Sequence, residues 1–162
     1  MAKVAVVMGS KSDLEVCRQT VETLKKFSVE TAVRVMSAHR TPDIAAEFAS
    51  KAASDGFEVI IAAAGKAAHL AGVLAAHTAL PVIGLPVKSS TMDGLDSLLS
   101  TVQMPAGIPV ACVAINGGEN AALLALQILG IKYPEISKKL TEFKQEMANK
   151  VIADDKEINS LL

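Results

Sequence analysis

Two short polar stretches in a mostly apolar chain carry the side chains best suited to chemistry. Ser37-Ala38-His39-Arg40-Thr41-Pro42 sets an imidazole beside a guanidinium and a hydroxyl. Arginine can grip a phosphate with two parallel N–H bonds, and histidine is the one side chain whose ordinary pKa suits proton transfer near neutrality. A lone loop histidine is usually just solvated; the arginine beside His39 makes a functional reading the better one. Gly9-Ser10-Lys11-Ser12-Asp13 is a small-residue turn running into a helical pattern. Ser12 and Asp13 are good helix-start residues whether or not anything binds, and on spacing alone capping is the first explanation. The second is a phosphate on the free N–H groups of a helix N-terminus.

A third stretch, Ala62-Ala63-Ala64-Gly65-Lys66-Ala67-Ala68-His69, is built almost wholly from small residues. A flat ligand or a very small molecule could approach its backbone closely. His69 is placed either to orient a neighbour or to touch a ligand, whereas His77 falls at a helix end and reads as a partner for the helix dipole. Three histidines without Cys/His or carboxylate spacing predict no metal site.

These stretches need elements to position them. Short apolar runs at Val4–Met8, Thr31–Met36, Val59–Ala63, Val82–Val87 and Val110–Ile115 read as strands. Between them, Leu14, Cys17, Val21, Leu24 and Phe27 mark one buried helix face. Further helices are predicted over Pro42–Asp55, Ala67–His77, Gly94–Thr101 and Asn120–Leu129. Ser12 to Glu15 fits a capping box, Thr41 caps ahead of Pro42, and Asn120 can cap the fifth helix. Apolar strands each followed by a helix imply a parallel sheet covered on both faces. The predicted fold class is therefore a three-layer, doubly wound α/β domain, flavodoxin-like or Rossmann-like, over residues 1–162. In such sheets ligands sit beyond the carboxyl ends of the strands, where strand order reverses, so the loops after the first three strands are the predicted site.

From Pro134 onward the composition turns charged, yet Ile136, Leu140, Phe143, Met147 and Val151 keep one apolar stripe. An extended C-terminal helix over 134–162 follows. Its stripe packs either on a neighbouring subunit or back on its own domain.

Composition narrows the ligand. With 16 Lys and Arg against 17 Asp and Glu, the net charge is −1, and aromatics are only 3%. There is neither the basic excess that nucleic-acid backbones demand nor rings on which bases could stack. A small molecule held by local groups is expected, and no nucleic acid. Ala67 to Val87 runs 21 residues without a formal charge, long enough for a bilayer, but its prolines, glycines and histidines fit a buried helix and strand better. Two cysteines without metal spacing suit core filling in a reducing cytoplasm.

At these residues the chain resembles the class I N5-carboxyaminoimidazole ribonucleotide mutases of purine biosynthesis. The resemblance spans nearly the whole chain: Met8 to Asp13, Ser37 to Pro42, Ala67-Ala68-His69-Leu70, Asp96 to Ser100 with Gln103-Met104-Pro105, and Asn120 to Leu124. It implies a cofactor-free transfer of a carboxylate from the exocyclic nitrogen to the ring carbon of an aminoimidazole ribonucleotide, with His39 moving protons. Ser10 and Arg40 would hold the phosphate with Ser37 in support, and Asp13 the ribose hydroxyls. Ser12, Gly65, Lys66, Ala67 and His69 complete the implied substrate contacts. It further implies a homo-octamer, and as functional partner an ATP-dependent synthase that makes the carbamate.

The chain departs from the family's usual pattern at Ala63 and Lys66, which stand for glycines, and at Ala71, which stands for proline. Lys66 either points to solvent, the first reading, or steadies the migrating carboxylate. The loop Asn116 to Glu119 looks shorter than in many relatives. The rival functions are a sister class that carboxylates the aminoimidazole ribonucleotide directly with carbon dioxide, and a flavodoxin-like or receiver-like binding module.

Overall fold

Continuous burial of short apolar strands builds the centre of the sheet. In the computed structural model, which describes residues 1–161, the strands are β1 (Lys3–Met8), β2 (Glu30–Val35), β3 (Val59–Gly65), β4 (Val82–Val87) and β5 (Ala111–Cys112). All pair in parallel, in the order β2-β1-β3-β4-β5. The order reverses at β1, whose neighbours are β2 on one side and β3 on the other, which is the flavodoxin-type switch point.

The helices are α1 (Leu14–Lys26), α2 (Pro42–Lys51), α3 (Leu70–Ala76), α4 (Leu95–Val102), α5 (Gly118–Gly130) and α6 (Pro134–Leu161). On one face of the sheet Ala5, Val7, Ile60, Ala62 and Val82 pack with Ala45 and Ala49 of α2 and Leu70 and Leu74 of α3. Small residues dominate, so helix and sheet approach closely. Cys17 and Leu24 of α1 are fully buried, and the Thr20 hydroxyl donates to the Gly118 carbonyl at 2.9 Å, joining α1 to the start of α5. The predicted three-layer parallel α/β class is the one observed.

The differences from the sequence reading have local causes. A 3-10 turn over Lys11–Asp13 precedes α1, so the capping box is Ser10 with Asp13 rather than Ser12 with Glu15. Leu14 sits outside the buried face, which Thr20 and Thr23 occupy instead. α5 begins at Gly118, placing Asn120 inside its first turn and not at the cap. β5 is shorter than Val110–Ile115 because Pro86 of β4 has no N–H for the ladder; its carbonyl accepts instead from Asn116 at 2.8 Å. Cys17 fills the core as expected, with burial, then the nearby Asp13 charge, pushing its thiol up to about 12. Cys112, on the edge strand, is only half-buried. The uncharged stretch resolves into α3 and β4, and among the described residues no helix is long and apolar enough to cross a membrane.

The chain divides into two compact units, Met1–Ala125 and Leu126–Leu162. The second holds α6, 28 residues long and so about 42 Å at 1.5 Å per residue. Its predicted stripe is buried only at the beginning: Ile136 and Leu140 are covered, while Met147 and Val151 are 47% and 67% exposed.

Ile61 lies fully buried between Val6 of β1 and Ile83 of β4. Ile61→Ala is expected to lower stability by about 2–5 kcal/mol, read as a fall in the denaturant midpoint with unchanged slope.

Candidate active site

The sheet delivers its strand ends to one edge, and the loops leaving them are tied together at Gly9. Its N–H donates to the Ala63 carbonyl of β3 at 3.0 Å, and its carbonyl accepts from Arg40 Nη2 at 2.9 Å. One residue thus joins the loops after β1 and β2 to the end of strand β3.

The β2 loop is closed by its own side chains. Thr41 Oγ1 accepts from the Ser37 N–H at 2.9 Å and lies 3.1 Å from the Ser37 carbonyl, to which it can donate. Thr41 precedes Pro42 at the start of α2, as expected, but its hydroxyl locks the loop rather than capping the helix. Ser37 Oγ accepts from the Arg40 backbone N–H at 3.2 Å and from Arg40 Nε at 3.3 Å. Two edges of the guanidinium are therefore fixed, leaving Nη1 and one Nη2 hydrogen directed by a rigid frame. His39, between them, is exposed and carries no hydrogen bond on its ring among the described residues.

In the β1 loop both sequence readings of Gly9 to Asp13 meet the same atoms. Ser10 Oγ accepts from the Ser12 N–H at 3.3 Å, and Asp13 Oδ2 accepts from the Ser10 N–H at 3.2 Å. Ser12 Oγ lies 2.9 Å from Ser10 Oγ and 3.2 Å from Asp13 Oδ1. Capping is realised, and the same residues face the cavity. Asp13 is 6% exposed. Burial raises its carboxyl above the ordinary value, opposed by the hydrogen bonds from Ser12 and Ser10 and by the Arg40 charge.

After β3 the chain turns twice through left-handed backbone, at Lys66 (φ 57°) and His69 (φ 46°). Each costs a residue with a Cβ roughly 1–2 kcal/mol, and such strain gathers at functional sites. The turns delay α3 to Leu70, three residues after its predicted start at Ala67. His69 Nδ1 lies 2.6 Å from the Ser100 carbonyl; a carbonyl only accepts, so Nδ1 carries the hydrogen. The ring rests on Gly72, where any Cβ would overlap it. His77 follows at the C-terminal cap of α3, as the sequence suggested.

These loops enclose a cavity of about 520 Å³, within the usual range for a small ligand. Its wall includes Ser10, Ser12, Asp13, Ser37, His39, Arg40, Gly65 and Lys66. Two residues picked from sequence, Ala67 and His69, are not part of that wall; His69 faces α4 instead. Two residues the sequence reading missed, Lys88 and Ser89, are part of it. They follow β4, and the strand-end rule that selected the first three loops would have found them had it been extended to the fourth. Among the described residues no cluster of His, Cys, Asp or Glu is arranged to hold a metal ion.

Comparison with known proteins places this geometry. The family described as AIR carboxylase matches residues 3–150. An N5-carboxyaminoimidazole ribonucleotide mutase of Saccharolobus solfataricus is 56% identical over 94% of this chain and 97% of its own. One of Thermotoga maritima is 55% identical over 94% and 89%. Among solved structures, a crystal structure of Treponema denticola PurE superposes with a TM-score of 0.89 at 30% identity, over 97% of this chain and 98% of that one.

The buried charge of Asp13 makes a pH-dependent prediction. A carboxyl with a raised folded pKa binds protons more readily folded than unfolded, so stability falls as pH rises from the ordinary value near 3.8 through the folded pKa. Asp13→Asn removes that loss. Relative to the parent, the variant is expected to gain melting temperature as pH rises from 4 to 7, checked by thermal melts across that range.

Proposed function

The chain belongs to the AIR carboxylase family, and from that premise we propose how its site works as an N5-carboxyaminoimidazole ribonucleotide mutase. The enzyme is an isomerase of purine biosynthesis, converting N5-carboxyaminoimidazole ribonucleotide to 4-carboxy-5-aminoimidazole ribonucleotide. The observation that carries the residue assignment is the convergence of Ser10, Asp13, Ser37, His39 and Arg40 on one cavity from two loops pinned at Gly9. Arg40, aimed by Ser37 and Gly9, holds the phosphate together with Ser10 and the N–H groups opening the helical turn. Ser37 supports it, Ser12 borders it, and Asp13 accepts from the ribose hydroxyls.

His39 moves the proton. As the carbamate N–C bond breaks and carbon dioxide leaves, the imidazolium gives its proton to the exocyclic nitrogen. The electron-rich ring carbon then attacks carbon dioxide, forming the new C–C bond. The neutral imidazole removes the hydrogen from that carbon, restoring the aromatic ring and the imidazolium. One proton thus passes from carbon to nitrogen with no metal, biotin or ATP required. The protein contributes position, proton transfer and containment. Containment falls to the small-residue wall of Ala64, Gly65 and Ala68, because carbon dioxide is uncharged and offers little to grip. His69, bonded to Ser100, serves by holding that wall in place.

The rival readings lose ground on particular features. A receiver module needs an acidic residue where β3 ends, and this chain has Ala64-Gly65. A flavin carrier stacks aromatics on its ring, and none lines the cavity. Direct carboxylation is disfavoured by the mutases that match over nearly the full chain.

The reading extends to the enzyme's setting: a cytoplasmic enzyme fed by an ATP-dependent synthase that makes the carbamate. It assembles as a homo-oligomer, an octamer by family resemblance. The second half of α6, with Val151, Ile152 and Ile158 67%, 53% and 57% exposed, is the surface that a neighbouring subunit would cover.

Two experiments test these roles. His39→Asn is expected to abolish turnover while binding the nucleotide nearly as well as the parent, whereas Arg40→Ala weakens binding tenfold or more, on the order of one charge-assisted contact; turnover persisting in the first variant would remove His39 from the mechanism. Placing glutamates at Val151 and Ile152 is expected to lower the solution mass measured by light scattering, and an unchanged mass would free α6 of any role in assembly.

A further inference from the structure

Lys66 and Lys88 each follow the carboxyl end of one of two neighbouring strands. The register pairs Gly65 of β3 with Val87 of β4, so the lysines are the next residues along strands whose backbones run about 4.8 Å apart. Both line the cavity. Lys66 holds a left-handed backbone that a glycine would take without penalty, and its ammonium makes no ion pair among the described residues. The Lys88 backbone is pinned: its N–H donates to Asn116 Oδ1 at 2.9 Å. Its Cα also lies against Gly94 (φ 96°), where a Cβ would stand 3.1 Å from it and 2.7 Å from Ile115. Only its ammonium is loosely held, 3.0 Å from an Asp93 carboxylate that is 84% exposed.

The charges around the cavity therefore fall into two groups. Arg40 lies where the β1 and β2 loops meet, with Asp13 nearby. The two lysines follow the ends of β3 and β4, and no Asp or Glu from that side lines the wall. The ligand of the proposed function likewise has two anionic ends, the phosphate and the carboxylate, and the first is assigned to Arg40.

We propose that Lys66 and Lys88 form a second anion subsite, which holds the carboxylate of substrate and product and makes the enzyme prefer carboxylated nucleotides to bare aminoimidazole ribonucleotide. This rests on the reading of the cavity given above. An exposed ion pair such as Lys88–Asp93 is weak, so the ligand carboxylate replaces Asp93 at little cost. A lysine ammonium on a flexible stem can follow the carboxylate from nitrogen to carbon. Carbon dioxide, between those states, carries no charge, and the lysines let it go to the small-residue wall. The pair therefore acts on binding at both ends of the reaction more than on the chemical step.

The test is calorimetric titration of the parent, Lys66→Gln, Lys88→Gln and the double variant with 4-carboxy-5-aminoimidazole ribonucleotide and with 5-aminoimidazole ribonucleotide. Each single change is expected to weaken the carboxylated nucleotide about fivefold and the double change roughly twentyfold, as for partly exposed charge pairs. Affinity for the bare nucleotide stays within about twofold, which also reports that the variants are folded. KM for the carbamate rises in parallel, with kcat within about threefold. A double variant that binds the carboxylated nucleotide like the parent overturns the subsite, as does an equal loss for both nucleotides. A parent that binds neither overturns the reading of the cavity itself, an outcome distinct from failure of the lysine pair.

Discussion

The backbone of Gly9 is the constraint on which the site depends. Its N–H bonds to Ala63 and its carbonyl to Arg40, which is possible only because β1 lies between β2 and β3. A parallel sheet brings all its carboxyl ends to one edge, and the reversal of strand order at β1 sends successive crossovers to opposite faces, opening a crevice above it. Gly9 sits at that reversal. From it follow the fixed orientation of Arg40, the locked Ser37 loop and the place of His39 beside them.

The site is expensive for the fold in identifiable ways. Asp13 keeps a carboxylate in a buried position, and Lys66 and His69 hold backbone conformations that side chains disfavour. None of these is needed by the sheet, whose core of Val, Ile, Leu and Ala is complete without them. Asp13 and Lys66 line the cavity itself, and His69 stands next to wall residues Ala68 and Leu70. Positive charge reaches the cavity from the loops after three strands, with Arg40, Lys66 and Lys88, and no aromatic side chain lines it.

What sequence alone settled was whatever short-range physics dictates. Alternating apolar runs and helical spacing identified the five strands and the helices between them, since period and burial are local properties. The rule for open parallel sheets then selected loops that line the cavity, and His39, Arg40, Ser10, Asp13 and Ser37, named from residue type, all stand in its wall. Strand and helix ends were harder, because they depend on partners: β5 stops early for want of an N–H on Pro86 in another strand, and the capping box moved to Ser10 because a 3-10 turn precedes α1.

Tertiary structure alone decided which side chains share the cavity. His69 looks like a ligand contact in the sequence, yet its ring is drawn to the Ser100 carbonyl, 31 residues away. Lys88 looks like an ordinary lysine after a strand, yet the pairing of β3 with β4 brings it to the same cavity wall as Lys66. Residue types and spacings carry the chemistry a chain is able to do. Which groups meet is fixed by strand register and long-range hydrogen bonds, and these join residues whose separation in sequence bears no relation to their distance in space.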